Sequence, residues 1–152
     1  MSQGFANVRE RVDRIRARGW ALQILYRWEA TGARESLRDT LVDTTATRRV
    51  SPRRLPYIRE VLGLFDAHRA EVDQRVAEAL ENWRMERLAV VERALLRLAA
   101  TEILYMEDIP PKVSIQEAVR LAEQYGGPES PRFVNGVLDA LYRRAVARAG
   151  GS

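Results

Sequence analysis

The sequence predicts an all-α fold of about seven helices. Two observations carry this expectation. The nine glycines and six prolines fall in a few clusters and leave long uninterrupted stretches between them. Within those stretches apolar residues recur at helical spacing, and no alternating β-branched run interrupts them. From Val8 to Ala30 good helix formers are dense, and Thr31-Gly32 closes the stretch because glycine takes the left-handed conformation that ends a helix. A short amphipathic helix is expected from Glu35 to Asp43, with a polar loop from Thr44 to Ser51. Ser51-Pro52 is a start signal, with serine as N-cap and proline at the first helical position, where its missing N–H costs nothing. Leu55, Ile58, Leu62 and Phe65 follow at helical spacing, with a bend or second start near Pro56 or His68, and Val72, Val76 and Leu80 extend the stripe.

Beyond Trp83, Leu88, Val91, Leu95, Leu98 and Leu104 are filled out by Val90, Ala94, Ala99 and Ala100 on adjoining faces, and a helix apolar this far round belongs at the centre of the fold. Pro110-Pro111 stops it. Ser114 and Glu117 stand in the S-x-x-E spacing of a capping box and are expected to open the next helix, which runs through Ala118, Leu121 and Ala122 to Tyr125 and stops at Gly126-Gly127. The last helix is expected to use Ser130 as N-cap and Pro131 as its first residue, to carry Phe133, Val134, Val137, Leu138 and Leu141, and to fray at Ala149-Gly150-Gly151.

A chain of 152 residues suits one domain. At this length it should bury roughly 68–70% of the surface its unfolded form exposes, so a core can form without a metal or a disulfide. The absence of cysteine excludes a disulfide framework, a thiolate zinc site, an iron–sulfur cluster and a cysteine nucleophile. With 46% hydrophobic and 30% charged residues the composition is that of a globular chain. Its apolar runs are broken too soon by Arg or Glu to span a membrane, and the first fifteen residues lack the apolar core of a secretory signal, so a cytoplasmic location is expected.

The formal net charge is +4, and Lys112 is the only lysine. Arginine binds phosphate oxygens in a bidentate fork and stacks on bases, which an ammonium does not. A plain bias toward arginine would give the same composition, so position must separate the two readings. Arg9, Arg11, Arg14, Arg16 and Arg18 stand against only Glu10 and Asp13 at the start of the first helix. Arg11, Arg14 and Arg18 share a stripe close in angle to the apolar face of Ala17, Ala21, Leu25 and Trp28, so they must extend past the core as an arm or first turn. Cations crowded at a helix N-terminus oppose its dipole, a conflict that a bound phosphate would relieve; the other reading is a solvated basic end. A second cluster, Glu129-Ser130-Pro131-Arg132-Phe133, sets a base and an aromatic residue on the first turn of the last helix. Phe133 is either a stacking platform for an unpaired base or the first core residue of that helix.

Catalytic chemistry has little to work with. His68 is the only histidine, and with Glu71 it makes one His/Glu pair where a helical di-metal site needs two, so no metal site is expected. Glu78 and Glu81 lie beside arginines on polar faces, and Gly126-Gly127 lacks the following G-K-[ST] of a phosphate loop. With no G-x-S-x-G elbow and no dinucleotide fingerprint, neither an enzyme nor a cofactor is expected.

Four stretches together resemble the NusB family of bacterial transcription antitermination factors, over nearly the whole chain. They are the arginine-rich Arg14 to Tyr26, ending in Ala21-Leu22-Gln23-Ile24-Leu25-Tyr26; Val91 to Arg97; Pro110 to Ala118; and Phe133-Val134-Asn135-Gly136-Val137-Leu138-Asp139. The resemblance implies two small packed helical bundles, at about residues 6–67 and 68–148, and binding of boxA-type single-stranded RNA together with the ribosomal protein NusE. Within the RNA polymerase antitermination complex such proteins promote read-through in ribosomal RNA operons. By motif position Arg14, Arg16 and Arg18, with Arg11 on their stripe, would contact RNA; Glu129, Arg132 and Phe133 would form a second RNA edge; Tyr26 and Glu92 would meet the protein partner. Ile15 and Pro131 depart from the family pattern. Asn135, interrupting an apolar run, is expected to be buried and to tie the last helix to a neighbouring backbone, with Gly136 allowing close helix contact. Both a monomer and a homodimer accord with the resemblance. Two other readings compete: an RNA-binding domain like those of some RNA cytosine methyltransferases, and a helical protein-interaction module with an incidental basic end.

Overall fold

The computed structural model describes residues 2–150, with side chains from residue 8 onward. Among the described residues there are seven α-helices and no strand: α1 (Ser2–Ala30), α2 (Leu37–Thr47), α3 (Leu55–Ala67), α4 (Arg69–Ala79), α5 (Val90–Tyr105), α6 (Pro111–Tyr125) and α7 (Ser130–Gly150). Single 3₁₀ turns, Pro52–Arg54 and Met85–Arg87, precede α3 and α5. The chain divides into two compact units, Met1–Gly63 and Leu64–Ser152, the division falling inside α3.

In the first unit α1 packs on α2 and on the turn at Pro52–Arg54. Burial in α1 begins at Ala17 and continues through Ala21, Leu22, Ile24, Leu25 and Trp28, so the described residues before it project beyond the buried half of a helix about 43 Å long. The helix ends as Thr31-Gly32 predicts: Gly32, at φ 75°, donates its N–H to Glu29 O at 2.9 Å, and the Ala33 N–H donates to Trp28 O at 3.0 Å. Trp28 Nε1 reaches Glu35 O at 3.2 Å. Ser36 then caps α2 by accepting the Asp39 N–H at 3.0 Å. The expected loop from Thr44 is instead helix to Thr47, because Thr44 is buried and its hydroxyl accepts from Arg27 at 3.3 Å.

In the second unit α5 contacts α4, α6 and α7, the central place its all-round apolarity predicts. Leu95, Leu96 and Ala100 are wholly buried on it, and α4 contributes Val72 and Val76, α6 Leu121 and Ala122, α7 Val134, Leu138 and Leu141. Arg97 clamps α5 to α4 with a two-pronged bond to Asp73, at 2.9 and 3.0 Å, while its guanidinium lies 5.5 Å from the Phe65 ring centre.

The expected capping box does not form. Pro110-Pro111, read as a stop, also starts α6, with Pro111 as its first residue. Ser114 therefore sits inside the helix, buried, and donates its hydroxyl to the buried Glu102 of α5 at 2.7 Å, while Glu117 pairs with Arg120 at 2.9 Å. Ser51 makes no side-chain cap, and its proline opens the 3₁₀ turn that leads into α3. Ser130 is the first helical residue of α7, and Glu129 O accepts the first helical bond, from the Phe133 N–H at 3.1 Å. α7 continues helically to Gly150; Gly151, the end of the expected frayed tail, lies outside the described residues.

Candidate nucleic-acid interface

In the first unit the basic surface is built by α1 and the turn before α3. Arg14 and Arg18 are one helical turn apart and lie 4.7 and 5.7 Å from the centre of the Tyr57 ring, both within cation–π range. Arg11 and Arg16 are exposed and Arg14 is half-buried, whereas Arg18 is only 4% exposed. The stripe is therefore not uniform: it dips into the fold at Arg18 and rises to solvent toward Arg11. Asp13, in the middle of the patch, is met by Arg53 at 3.6 Å and Arg54 at 3.4 Å, which brings two more guanidinium groups to the same end of α1. Tyr26 lies farther along α1 and is exposed.

In the second unit the start of α7 presents Arg132, and Glu129 just before it, to solvent and leaves Phe133 half-buried. Ser130 fixes this turn from below. Its hydroxyl donates to Glu92 Oε2 at 2.7 Å and accepts the Gly127 N–H at 3.1 Å. Glu92, expected to face a partner, is thus half-buried and joined to the base of the expected RNA edge. Gly126 is needed here: a Cβ on it would stand 2.6 Å from Ser130 Cβ and 2.9 Å from the Ala122 carbonyl oxygen.

Asn135 and Gly136 correct the sequence reading. Both are exposed, and a Cβ built on Gly136 meets nothing within 4 Å, so neither secures helix packing. One turn of α7 sets Val134 inward, leaves Phe133 half-buried and turns Asn135 and Gly136 outward; the apolar run misled because α7 buries Val134, Val137, Leu138 and Leu141, a stripe that passes around them.

Among the described residues no group of three or more His, Asp or Glu side chains could hold a metal ion. His68 sits at the N-cap of α4 and stacks on Tyr105, ring centres 4.1 Å apart. Tyr105 donates its hydroxyl to Glu71 Oε2 at 2.8 Å. That bond, then Arg75, holds the Glu71 carboxyl below the usual carboxylate range, and burial followed by the bond to Glu71 pushes the Tyr105 phenol up to about 12. No helix is long and apolar enough to cross a membrane among the described residues.

The NusB family model matches residues 15–143. The chain belongs to the NusB family. Transcription antitermination protein NusB of Desulfitobacterium hafniense (strain DSM 10664 / DCB-2) is 37% identical over 130 residues, covering 86% of this chain and 88% of that protein. The structure of T. maritima NusB superposes with a TM-score of 0.79 at 32% identity, covering 86% of this chain and 90% of that one. A chain from the crystal structure of antitermination factors NusB and NusE in complex with dsRNA superposes with a TM-score of 0.78 at 27% identity, covering 87% and 97%. Arg11 and Arg14 precede the stretch matched by the NusB family model, while Arg16, Arg18, Glu92, Arg132 and Phe133 lie within it. Tyr57, Arg53 and Arg54 were missed in the sequence because their pairing with Arg14, Arg18 and Asp13 spans some forty positions; the Arg53-Arg54 doublet in a polar stretch was the available signal.

Proposed function

We propose that this chain is a transcription antitermination factor that binds boxA-type single-stranded RNA together with NusE, within the RNA polymerase antitermination complex, and promotes read-through in ribosomal RNA operons. The likeness to T. maritima NusB and to the chain from the NusB–NusE–dsRNA complex over most of its length carries the reading. The role is one of binding, carried out in the cytoplasm by a monomer or a homodimer without a catalytic step or a cofactor.

Residue roles follow from exposure. Arg11, Arg14 and Arg16 meet phosphates or bases, and Arg18, buried against Tyr57, positions Arg14 on the shared ring. Glu129, Arg132 and Phe133 form the second edge, where an aromatic ring and charges of both signs suit unstacked bases. Tyr26, exposed on α1, and Glu92, anchored by Ser130, serve the protein partner.

Fluorescence anisotropy of a short boxA-type RNA and a scrambled control, with and without NusE at several salt concentrations, tests the proposal. Preferential boxA binding that tightens with NusE, with a log–log salt slope of about −0.7 per phosphate neutralised, is the expected result. Equal weak binding to both RNAs, indifferent to NusE, overturns it.

A further inference from the structure

Trp83, a large apolar side chain, is 57% exposed. It stands on the segment between α4 and the 3₁₀ turn Met85–Arg87, and its ring meets Phe133 edge to face, with centres 6.4 Å apart and planes at 78°. In such a pair the ring that offers its edge keeps both faces clear of the other ring. The turn that follows it is held in place: Arg93 of α5 donates from one terminal nitrogen to Met85 O at 2.8 Å and to Leu88 O at 3.2 Å. An indole next to an anchored turn, more than half in water and beside the aromatic residue of the second edge, is not explained by core packing.

We infer that Trp83 offers a stacking face to one unpaired base of a single-stranded RNA, with the Phe133 ring set edge to face against it as the support of this platform. This rests on the antitermination reading and adds to it a residue of the RNA site. The surroundings favour a base over a bare phosphate. Each ring has an exposed arginine as its chain neighbour, Arg84 beside Trp83 and Arg132 beside Phe133, and among the described residues neither arginine forms an ion pair. The exposed carboxylate of Glu129, just before α7, repels phosphate but accepts hydrogen bonds from base amino groups. Aromatic faces for the ring, guanidinium groups for the flanking backbone and a carboxylate for the base edge are the parts from which single-strand recognition is built.

The test compares the full chain with Trp83→Ala and Trp83→Phe, using anisotropy with a boxA-type RNA and with versions of it lacking one base at a time. Trp83→Ala should weaken binding about 5- to 150-fold and Trp83→Phe by less than about threefold. One abasic position should weaken the unaltered chain while costing Trp83→Ala nothing further. The chain also carries Trp20 and Trp28, so RNA should quench a smaller share of the total indole emission in Trp83→Phe than in the unaltered chain, a readout that holds even if the alanine variant fails to fold. Equal RNA affinity of the unaltered chain and Trp83→Ala overturns the platform and leaves the antitermination reading standing. Absence of any RNA binding by the unaltered chain overturns both. An effect of Trp83→Ala confined to NusE binding, with RNA affinity unchanged, makes this a protein-docking surface and overturns the platform alone.

Discussion

Ser130 Oγ donates to Glu92 Oε2 at 2.7 Å, tying the first turn of α7 to the first turn of α5. The same oxygen accepts the Gly127 N–H, so one hydroxyl fixes both the approach to α7 and its start. Ser130→Ala should lower unfolding stability by about 1–2 kcal/mol, since a hydrogen bond to a charged acceptor is lost and a part-buried carboxylate is left short of a donor. Urea unfolding checks this, and an unchanged midpoint would show that the contact carries no net stability.

Gly126 and Gly136 should respond oppositely to alanine. Gly126→Ala places a methyl against Ser130 and the Ala122 carbonyl and should cost about 1–3 kcal/mol. Gly136→Ala, in open space on α7, should stabilise by about 0.5–1 kcal/mol. Thermal melts of the two variants decide it.

Arg16→Ala and Arg18→Ala should separate binding from folding. Arg16 is exposed, so its loss should leave the melting temperature unchanged and reduce the salt slope of RNA binding by about 0.7. Arg18 is buried over Tyr57, and truncating it should cost about 2 kcal/mol of stability. Parallel melts and salt titrations read both effects; a stable Arg18→Ala chain with a reduced salt slope would make Arg18 a direct contact.

Tyr105 and Glu71 set the pH dependence of the α4–α5 contact. The phenol, raised in the folded state to about 12 from an ordinary 10.0, contributes fully below pH 10 and loses its contribution between about 10 and 12. The Glu71 carboxyl is lowered, so its contribution is complete above its ordinary 4.5 and disappears as pH falls through the folded value. The stability difference between the unaltered chain and Tyr105→Phe should therefore be flat from pH 6 to 9 and shrink on either side, as measured by urea unfolding across pH.

The helical class, the central place of α5 and the stop at Thr31-Gly32 were legible because each rests on local chemistry, periodicity or a backbone conformation that one residue type favours; the stop at Gly126-Gly127 was legible too, although Gly126 is extended at φ −96° and is required there by its close approach to Ser130. The start of α6 was not. The S-x-x-E spacing of Ser114 and Glu117 occurs inside helices as well as at their ends, and proline at the first helical position had the prior claim. Asn135 and Gly136 failed for a related reason, since an apolar run does not say which of its members a helix turns outward. At the candidate interface the arginine cluster was visible as composition. The burial of Arg18, in contrast to exposed Arg16, depends on Tyr57, which only folding brings beside it.

The bonds from Arg93 to Met85 and Leu88 also bear on association. Ordering a free segment on binding costs about 1–2 kcal/mol of conformational entropy for each residue whose backbone is fixed. The stretch from Met85 to Leu88, just after Trp83, has given up that freedom during folding, so a ligand meeting the indole faces a surface preorganised on that side, and the favourable contact reaches the measured affinity with a smaller entropic offset. Freeing the stretch by Arg93→Ala would return that entropy to the unbound state and weaken binding without touching a single ligand contact.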